Sequence, residues 1–600
     1  MQSPTRIILL MIVFFGITVG LVARLFSVSV LRHQQYVAEA SQQQEVTRDV
    51  LPKRGDIYVQ DAAAGKNQVI AESVERFALS ATPHNIDSKH RADFANLLSQ
   101  YSGVDAQKIL DTFNQDSMYM NPLKHGLTKG DVEAVAAAIN KLERSYNPAY
   151  QDAAVNFDDS QGNILYFVGG IFFIREFSRI YPEGGLLGQT LGFVNDNGAG
   201  QYGLEGEYNS ELTGYPGKLS IEQDSTGNLL AETQLVKGQD GTSYELSIDR
   251  NVQYVMEQDL ADEVKSAGAT GGSIVIMDPK TGEIIAMAST PSYDPNSFRD
   301  ITPDQIGLFD NPVISKQWEP GSIFKPFVMS AALDLGLVTP DTSDNYPESV
   351  TVDGYKIETA LRHAYGEETM TKVIVNSDNV AMVSVANKLG NQNMYGYLKK
   401  YGFGDLTGID LKNEITGTVL PVSQWSDISR ATMSFGQGIA VTPMQVIAAY
   451  AAIANNGKLV QPRLVKTVIK PDGSRQTVPM VEGQQVIKPQ TAQEIRDMML
   501  ATVEQADRKA EVPGYKIGGK TGTAQIPDPQ NGGYLKDAYN HSFVGIEPID
   551  NPRFVVLVKI DHPDLQKSGL FAESDAVPLF SKVSQFLLNY YQVPPTNPSN

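Results

Sequence analysis

The sequence predicts a mixed α and β protein in three parts: a membrane-spanning helix, a first α+β domain and a larger second α+β domain. A long apolar run near the N terminus predicts the helix. Short strand-like and helical segments alternate in residues 32–244, and from residue 245 strands flank a set of helices. The chain has 600 residues, 42% hydrophobic and 20% charged, which is enough for two large folded domains.

Charge and cysteine content exclude several classes of function. Acidic residues outnumber basic ones by 69 to 49, and the formal net charge of -20 repels nucleic acid. The chain has no cysteine, which excludes disulfides, thiolate catalysis and cysteine-ligated metals. Its seven histidines show no spacing typical of a metal site. We therefore expect no nucleic-acid partner, no metal and no cofactor.

The apolar run covers residues 7–31 and contains a single charge, Arg24. A spanning helix needs about 20 residues, and an arginine near its end can extend to the lipid headgroups. We expect a retained transmembrane anchor at 7–31 that follows a cytoplasmic tail of residues 1–6. A cleaved signal peptide is the alternative, but its apolar part is usually about 7 to 15 residues long. The flanking basic residues do not decide the orientation.

Residues 32–244 are predicted to form a non-catalytic α+β scaffold. Arg54 to Val59 has the pattern of a turn followed by a strand, and Val132 to Leu142 that of an alanine-rich helix. Gly184 to Gly217 is rich in glycine, which indicates turns and close backbone approaches. This region contains few groupings of catalytic residue types.

Residues 245–593 are predicted to form the second domain, followed by a disordered tail at 594–600. Residues 272–289 predict a β-hairpin, because two apolar strands flank a turn containing proline and glycine. A capped helix is predicted to begin after Thr442. Further strands are predicted at 245–248, 542–546 and 554–560. Strands at both ends with helices between them indicate a mixed domain.

Ser322 and Lys325 form the first candidate catalytic pair. Residues three apart share one face of a helix, so the lysine amine can reach the serine hydroxyl. Serine becomes nucleophilic near neutral pH when an adjacent base removes its proton, and the lysine must be uncharged to do this. Burial and a second cation both lower a lysine pKa, so the hypothesis requires another lysine nearby. Taken alone, the pair is better explained by a solvated helix end.

Two further motifs change that interpretation. Ser377-Asp378-Asn379 lies in a polar break before a helical segment, and Lys520-Thr521-Gly522 lies in a segment typical of an edge strand, 515–524. Alone, the first is explained by a helix N-cap and the second by an exposed strand and turn. Together, in this order, the motifs resemble the signature of penicillin-binding proteins and serine β-lactamases. We predict four catalytic residues: Ser322, Lys325, Ser377 and Lys520.

The second motif is predicted to move protons and hold the base. Ser377 can relay protons between Lys325 and a leaving amine. Asn379 can hold Lys325 and the substrate backbone through its amide. Lys520 of the third motif supplies positive potential to the site.

The rest of the third motif is predicted to bind substrate. The hydroxyls of Thr521 and Thr523 can bind a terminal carboxylate. Gly522 is predicted to let the substrate backbone lie against the strand, which a side chain would obstruct. The backbone N–H groups of Ser322 and Thr523 are predicted to form an oxyanion hole.

The resemblance to class B penicillin-binding proteins extends over nearly the whole chain. Residues 278–289 are similar to the family's opening hairpin, and 401–404 and 431–438 to its interior, the latter most like the division-specific (septal) branch. Residues 54–57 and 203–206 resemble the family's non-catalytic pedestal. The sequence departs from the common pattern at Trp318, Ile323 and residues 58–67, and none of these departures removes a catalytic group.

The resemblance implies a fold and an activity. The fold would have an elongated α+β pedestal and a catalytic domain with an antiparallel sheet covered by helices on both faces. Ser322 would be acylated by a D-Ala-D-Ala stem peptide, releasing D-Ala, and the acyl group would pass to an amine on a neighbouring stem. β-Lactams would acylate the same serine. The resemblance further implies a single-pass type II anchor in the cytoplasmic membrane, an extracytoplasmic catalytic domain, and membrane glycosyltransferase and divisome partners.

Several alternatives remain open. A class B transpeptidase for cell elongation shares all these features. A serine β-lactamase shares the motifs but is typically a single soluble domain, and a β-lactam sensor usually carries a cytoplasmic signalling portion. A structural division protein would have no need of the intact motifs. A bifunctional enzyme would need a second site in residues 34–244, where we find no paired acidic motif suited to glycosyl transfer.

Overall fold

The computed structural model describes residues 4–32, 45–115, 117, 120–157, 164–223 and 229–596. The predicted tail at 594–600 and cytoplasmic segment at 1–6 fall partly outside these residues. The chain forms two compact units. Unit 1 contains residues 1–54, 73–178 and 213–241, and unit 2 contains 55–72, 179–212 and 242–600. The boundary between the units at 241/242 is close to the domain boundary predicted at 244/245. Residues 55–72 and 179–212 precede this boundary in the chain but pack in unit 2.

In chain order, the helices are α1 (Pro4–Phe26), α2 (Arg91–Ser102), α3 (Ala106–Asn114), α4 (Lys129–Tyr146), α5 (Gly188–Leu191), α6 (Gly203–Glu207), α7 (Asn209–Thr213), α8 (Arg250–Ala267), α9 (Pro312–Ser315), α10 (Lys325–Asp334), α11 (Met370–Val375), α12 (Asn379–Lys400), α13 (Asp427–Met433), α14 (Pro443–Ala454), α15 (Pro489–Gln505), α16 (Leu565–Ser568) and α17 (Ala576–Tyr590).

The strands are β1 (Glu45–Val50), β2 (Ile57–Asp61), β3 (Lys66–Ala81), β4 (Lys124–Leu127), β5 (Ile164–Tyr166), β6 (Ile171–Ile180), β7 (Phe193–Val194), β8 (Gly200–Gln201), β9 (Gly217–Gln223), β10 (Leu229–Val236), β11 (Ser243–Asp249), β12 (Gly271–Met277), β13 (Ile284–Thr290), β14 (Ser343–Tyr346), β15 (Ser349–Val352), β16 (Tyr355–Glu358), β17 (Gly366–Thr369), β18 (Lys458–Val460), β19 (Val465–Ile469), β20 (Arg475–Thr477), β21 (Glu482–Gln485), β22 (Gly518–Pro527), β23 (Tyr534–Glu547) and β24 (Phe554–Asp561).

The N-terminal apolar helix has the length and composition of a membrane span. Residues Ile7–Leu31 have a mean hydropathy of 2.5, and the most apolar part of the segment is not buried in the protein. The helix is regular to Phe26 and continues as a π-helical turn, Ser27–Leu31. It is the one helix of this kind among the described residues.

Unit 1 has its own apolar core. Its helices α2, α3 and α4 contribute buried residues such as Leu98, Phe113 and Ile139, which pack with Phe77 and Phe173. The α4 helix begins with a capping box, in which Thr128 and Asp131 satisfy each other's backbone N–H groups. The helix predicted at Val132 to Leu142 lies inside it. A separate antiparallel sheet has the strand order β1-β9-β10.

Unit 2 is built on a five-stranded antiparallel sheet with the order β13-β12-β24-β23-β22. Alternate residues of its strands face two different cores. Ile274 and Val556 pack with α8 and α17 on one face, whereas Val275 and Leu557 pack with α10, α12 and α14 on the other. Helices therefore cover both faces, which explains why the central strands are apolar throughout. The predicted fold class and the predicted hairpin at 272–289 are confirmed.

A second sheet explains why residues 55–72 pack in unit 2. Strand β11 pairs in parallel with β2, with Tyr244 beside Ile57, and β2 pairs with the first part of β3. A buried ion pair holds residues 179–212 in the same unit: Arg179 Nε lies 2.6 Å from Glu205 Oε1, and Arg179 Nη1 donates to the Gly55 carbonyl at 2.8 Å. Of the family-like segment 54–57, residues 55–57 lie in unit 2, as does the family-like segment 203–206.

Candidate active site

Ser322 lies in a tight turn, Gly321–Phe324, that leads directly into α10. A loop at residues 434–438 packs beneath this turn. The Gly321 N–H donates to the Gly436 carbonyl at 3.0 Å. Gly436 has a φ of +80°, and a Cβ there would lie 2.1 Å from the Gly321 carbonyl oxygen. Only glycine fits this contact, so the loop fixes the position of the turn while Ser322 stays partly exposed.

Lys325 is completely buried beneath the turn. Its Nζ atom lies 2.6 Å from the Ser377 carbonyl oxygen, 2.7 Å from Asn379 Oδ1 and 3.0 Å from Ser377 Oγ. Burial, and next the charge of Lys520, hold the pKa of Lys325 well below its ordinary value. The carboxyls of Asp378 and Glu368 act in the opposite direction.

These contacts suit an uncharged amine. A neutral amine has two N–H donors and one lone pair. The carbonyl of Ser377 and the side-chain oxygen of Asn379 accept the two donors, and the Ser377 hydroxyl can donate to the lone pair. The arrangement joins Lys325 to Ser377 by a hydrogen bond along which a proton can move.

The Ser377-Asp378-Asn379 segment is also a helix cap. Asp378 Oδ1 accepts the N–H groups of Val380 at 2.6 Å and Ala381 at 3.1 Å, which caps α12. Ser377 adopts a φ of +55°, which turns the chain toward Lys325 just before the helix begins. Asp378 is therefore the helix cap, whereas Ser377 and Asn379 contact Lys325. The Asn379 amide donates to the Glu358 carbonyl at 3.1 Å.

The third motif lies on β22, an edge strand of the five-stranded sheet, as its sequence predicted. Lys520 points inward and is 1% exposed, whereas Thr521 and Thr523 face the cleft. Burial lowers the pKa of Lys520, and the carboxylates of Asp507 and Glu573 oppose that shift. Lys520 Nζ lies 3.3 Å from Thr521 Oγ1, so the cation is placed directly behind the cleft-facing hydroxyl.

Gly522 has a packing role inside the domain. A Cβ at this residue would lie 2.5 Å from Ser542 Oγ, 3.0 Å from Ile323 Cγ2 and 3.1 Å from the Pro320 carbonyl oxygen. These atoms belong to the neighbouring strand and the nucleophile turn. The glycine thus lets β22 approach the turn from inside the domain. The predicted role of Gly522 toward a substrate backbone stays a prediction beside this packing role.

The motifs meet at a cleft of about 540 Å³. Five of the predicted site residues line it: Ser322, Ser377, Asn379, Thr521 and Thr523. Lys325 and Lys520 lie behind it. The structure adds Glu358, Tyr365, Phe435, Asp507 and Glu573, of which only Phe435 lies in a segment that the sequence analysis singled out, residues 431–438. Burial raises the pKa of Asp507 to about 6.

The described residues contain no group of three or more histidine, aspartate or glutamate side chains placed to hold a metal ion. The cleft presents the hydroxyls of Ser322 and Ser377, with the buried Lys325 and Lys520 behind it. A partly exposed serine three residues before a buried lysine of lowered pKa, at the edge of a helix-covered antiparallel sheet, defines the class of active-site-serine acyltransferases that react with penicillins.

Comparisons with known proteins agree with this class. Residues 272–585 match the penicillin binding protein transpeptidase domain, and residues 49–246 match the penicillin-binding protein dimerisation domain. Peptidoglycan D,D-transpeptidase FtsI of Escherichia coli is 31% identical over 71% of this chain and 69% of its own length. Penicillin-binding protein PbpB of Mycobacterium tuberculosis is 34% identical over 70% of this chain, and the match spans 63% of that protein's length.

Solved structures give the same result. Penicillin binding protein 3 of Mycobacterium tuberculosis complexed with aztreonam is 33% identical, with a TM-score of 0.64 over 71% of this chain and 93% of that one. The chain belongs to the penicillin-binding protein family, and within it to the class B members, the peptidoglycan D,D-transpeptidases.

Proposed function

We propose that this chain cross-links peptidoglycan stem peptides at the division septum through an acyl ester on Ser322. One observation carries the proposal furthest: the Lys325 amine contacts both Ser377 Oγ and Asn379 Oδ1 behind a cleft that exposes Ser322. Septal duty is supported by the similarity to FtsI and PbpB. Ser322, Lys325, Ser377 and Lys520 are proposed as the catalytic residues.

In acylation, Ser322 Oγ attacks the carbonyl carbon of the penultimate D-Ala. Lys325 accepts the hydroxyl proton, which its low pKa allows. The Ser377 hydroxyl passes a proton to the nitrogen of the terminal D-Ala, and that residue leaves as the free amino acid. The backbone N–H groups of Ser322 and Thr523 are proposed to stabilise the oxyanion, an effect of about 3 to 4 kcal/mol per donor.

The second half-reaction runs the same steps with a new amine. The acceptor amine on a neighbouring stem attacks the ester carbonyl and loses a proton through Ser377 to Lys325. The new amide bond forms, and Ser322 recovers its proton. During acylation, Thr521 and Thr523 are proposed to hold the donor's terminal carboxylate, which departs with the released D-Ala, and Lys520 supplies positive potential behind them. Asn379 is proposed to orient the substrate backbone.

The other regions are proposed to place this chemistry at the membrane surface. Residues 7–31 are proposed as a type II anchor with residues 1–6 in the cytoplasm, residues 32–244 as the non-catalytic pedestal and 245–593 as the extracytoplasmic transpeptidase domain. A membrane glycosyltransferase and other divisome proteins are the expected partners. We also propose that β-lactams acylate Ser322, since a relative is known in complex with aztreonam.

The test is D-Ala release from a synthetic stem pentapeptide by the full chain in detergent. We expect release from a peptide ending in D-Ala-D-Ala, none from one ending in D-Ala-L-Ala, and none from Ser322→Ala. A matched control is Ser474→Ala, at an exposed loop serine in the same unit. Release that persists in Ser322→Ala would remove the proposed nucleophile.

Membrane orientation needs a separate test. A reporter that is active only outside the cytoplasm is fused after residue 596, and a second fusion carries the reporter before residue 7. We expect activity from the first fusion only. Activity from the second fusion alone would reverse the proposed orientation.

A further inference from the structure

A buried histidine, His541, lies beside the cleft but has no part in the chemistry described above. It is on β23, opposite Thr523 of β22, and its side chain is 0% exposed. No motif in the sequence includes it, since it is an isolated histidine between Asn540 and Ser542.

Both ring nitrogens of His541 face hydrogen-bond acceptors. Nδ1 lies 2.7 Å from Asp575 Oδ2, and Nε2 lies 3.1 Å from the Leu570 carbonyl oxygen. A neutral imidazole has one N–H, so its other nitrogen would present a lone pair to an acceptor. The geometry is satisfied when the pair of His541 and Asp575 holds an additional proton, whichever of Nδ1 and Oδ2 carries it.

Each carboxylate oxygen of Asp575 also accepts a hydrogen bond from another residue. Its Oδ2 atom also accepts the Ser568 hydroxyl, and its Oδ1 atom accepts the Ala576 N–H at the start of α17. Although serine, histidine and aspartate are all present, the serine bonds to the carboxylate and not to the imidazole. The cluster is thus not a second Ser-His-Asp site, because the Ser568 hydroxyl donates to the Asp575 carboxylate and not to the imidazole.

The segment that His541 holds forms one wall of the cleft. Leu570, Phe571 and Glu573 line it, and the intervening Ala572 N–H lies 3.4 Å from Thr523 Oγ1. Glu573 also acts on the charge of Lys520. A hydrogen bond from the imidazole to the Leu570 carbonyl therefore fixes both the shape of the wall and the carboxylate that faces the catalytic lysine.

Charged groups on neighbouring helices surround the pair. Burial and the charge of Asp575 raise the pKa of Glu263 on α8, and the charge of Lys582 on α17 lowers it. Lys582 itself is 2.8 Å from Asp259. Asp259, Glu263 and Lys582 are thus the charged groups that the helices packed around the pair contribute.

We propose that His541 is a positioning residue for the transpeptidase reaction: its doubly hydrogen-bonded, protonated ring pins the wall at residues 568–575, and loss of that proton releases the wall. The inference rests on the proposed function of the cleft. It adds a pH-dependent control of the wall that the nucleophile and its base do not explain.

The direct test observes the native ring. The ring nitrogens of ¹⁵N-histidine-labelled protein are measured by NMR near neutral pH, and His541→Gln assigns its signals by their disappearance. We expect Nε2 of His541 to carry a hydrogen. We expect Nδ1 either to carry a hydrogen or to share one with Asp575. A nitrogen with a free lone pair at Nε2, or at Nδ1 without a shared proton, would overturn the proposal.

The functional test compares acylation rates by a fluorescent penicillin across about pH 6 to about pH 9.5. His541→Gln cannot hold both acceptors and is expected to acylate more slowly at every pH, by about tenfold. Asp575→Asn can donate from its amide to a neutral imidazole, which keeps both bonds. It is expected to match wild type at low pH and to exceed it increasingly as the pH rises.

His562→Gln serves as the control, since His562 is exposed just after the end of β24. If the ratio of the Asp575→Asn and wild-type acylation rates is the same at all pH values, the pH-dependent release of the wall is contradicted. The endpoint adduct on Ser322 separates this proposal from the proposed function. If wild type forms the adduct and the ratio changes with pH, both stand; if wild type forms none, the cleft's function fails while the NMR result still decides the state of His541.

Discussion

The Nζ atom of Lys325 lies 3.0 Å from Ser377 Oγ, although the two residues are 52 positions apart in the chain. The contact forms because α10 and the break between α11 and α12 meet behind the cleft. It gives the buried amine a partner through which a proton can leave or enter. Substitutions at this pair and around it should therefore change acylation in distinct ways.

Removal of the amine tests Lys325 as the base. Lys325→Ala should lower the acylation rate of Ser322 by about 10² to 10⁴-fold, the usual contribution of a general base. The rate is measured with a fluorescent penicillin under pseudo-first-order conditions. Lys388→Ala, at an exposed lysine on α12, should react as wild type does. Acylation of Lys325→Ala at the wild-type rate would exclude the assigned role.

The charge of Lys520 should set the pH at which Lys325 becomes active. Since Lys520 lowers the pKa of Lys325, Lys520→Met should raise that pKa and move the rising limb of the acylation rate to higher pH. Lys520→Arg keeps the charge and should leave the limb near its wild-type position, even if its overall rate is lower. Identical limbs in the two variants would show that Lys520 does not act through its charge on Lys325.

The inward packing of Gly522 can be tested by compensation. Gly522→Ala places a methyl group 2.5 Å from Ser542 Oγ, so we expect β22 to move from the nucleophile turn and acylation to slow. Ser542→Ala removes that oxygen and should restore part of the rate in the double variant. Ser542→Ala alone is the control. A double variant no faster than Gly522→Ala would instead favour a role against the substrate.

Stability should depend on pH through Glu547. Both carboxyl oxygens are buried without a hydrogen-bond partner among the described residues, and burial raises the pKa of Glu547 to about 8, against a smaller opposing effect of the nearby Ser584 hydroxyl. The folded protein then keeps a proton that the unfolded chain loses above about pH 4.3. Folding takes up this proton, so stability falls as the pH rises toward that folded-state pKa and changes little beyond it.

Glu547→Gln removes this titration while keeping the side chain uncharged. We expect its Tm to exceed that of wild type by roughly 2 °C at about pH 8 and to lie close to it at about pH 5. Thermal unfolding followed by tryptophan fluorescence gives the comparison. Glu504→Gln, at an exposed residue of α15, should show no such difference. An equal Tm shift at both pH values would mean that Glu547 does not titrate as described.

The hairpin was predictable because its signal is local: the strands at 272–289 flank a recognisable turn. The motifs around Ser322, Ser377 and Lys520 were recognisable as short local patterns that follow one another in a fixed order. The N-terminal apolar helix follows equally from an apolar run that only Arg24 interrupts. Long-range packing was not predictable: the pairing of Tyr244 with Ile57, which places residues 55–72 in unit 2, depends on contacts between distant segments.

The same reason explains which parts of the site were not predictable. The places of Asp507, Glu573 and His541 at the site depend on contacts with residues far away in the chain. None of the three lies in a motif. The packing role of Gly522 was not predictable for a related cause. A sequence shows that a strand residue lacks a side chain, but it does not show which neighbour occupies the space.

The most direct test of the central claim is the intact mass of the full chain after incubation with penicillin, wild type beside Ser322→Ala. We expect one penicilloyl adduct per wild-type chain, located on the peptide that contains Ser322, and none on the variant. Slow loss of the adduct would further favour a transpeptidase over a β-lactamase. An adduct of equal amount on Ser322→Ala, or one located on another residue of the wild type, would contradict Ser322 as the nucleophile.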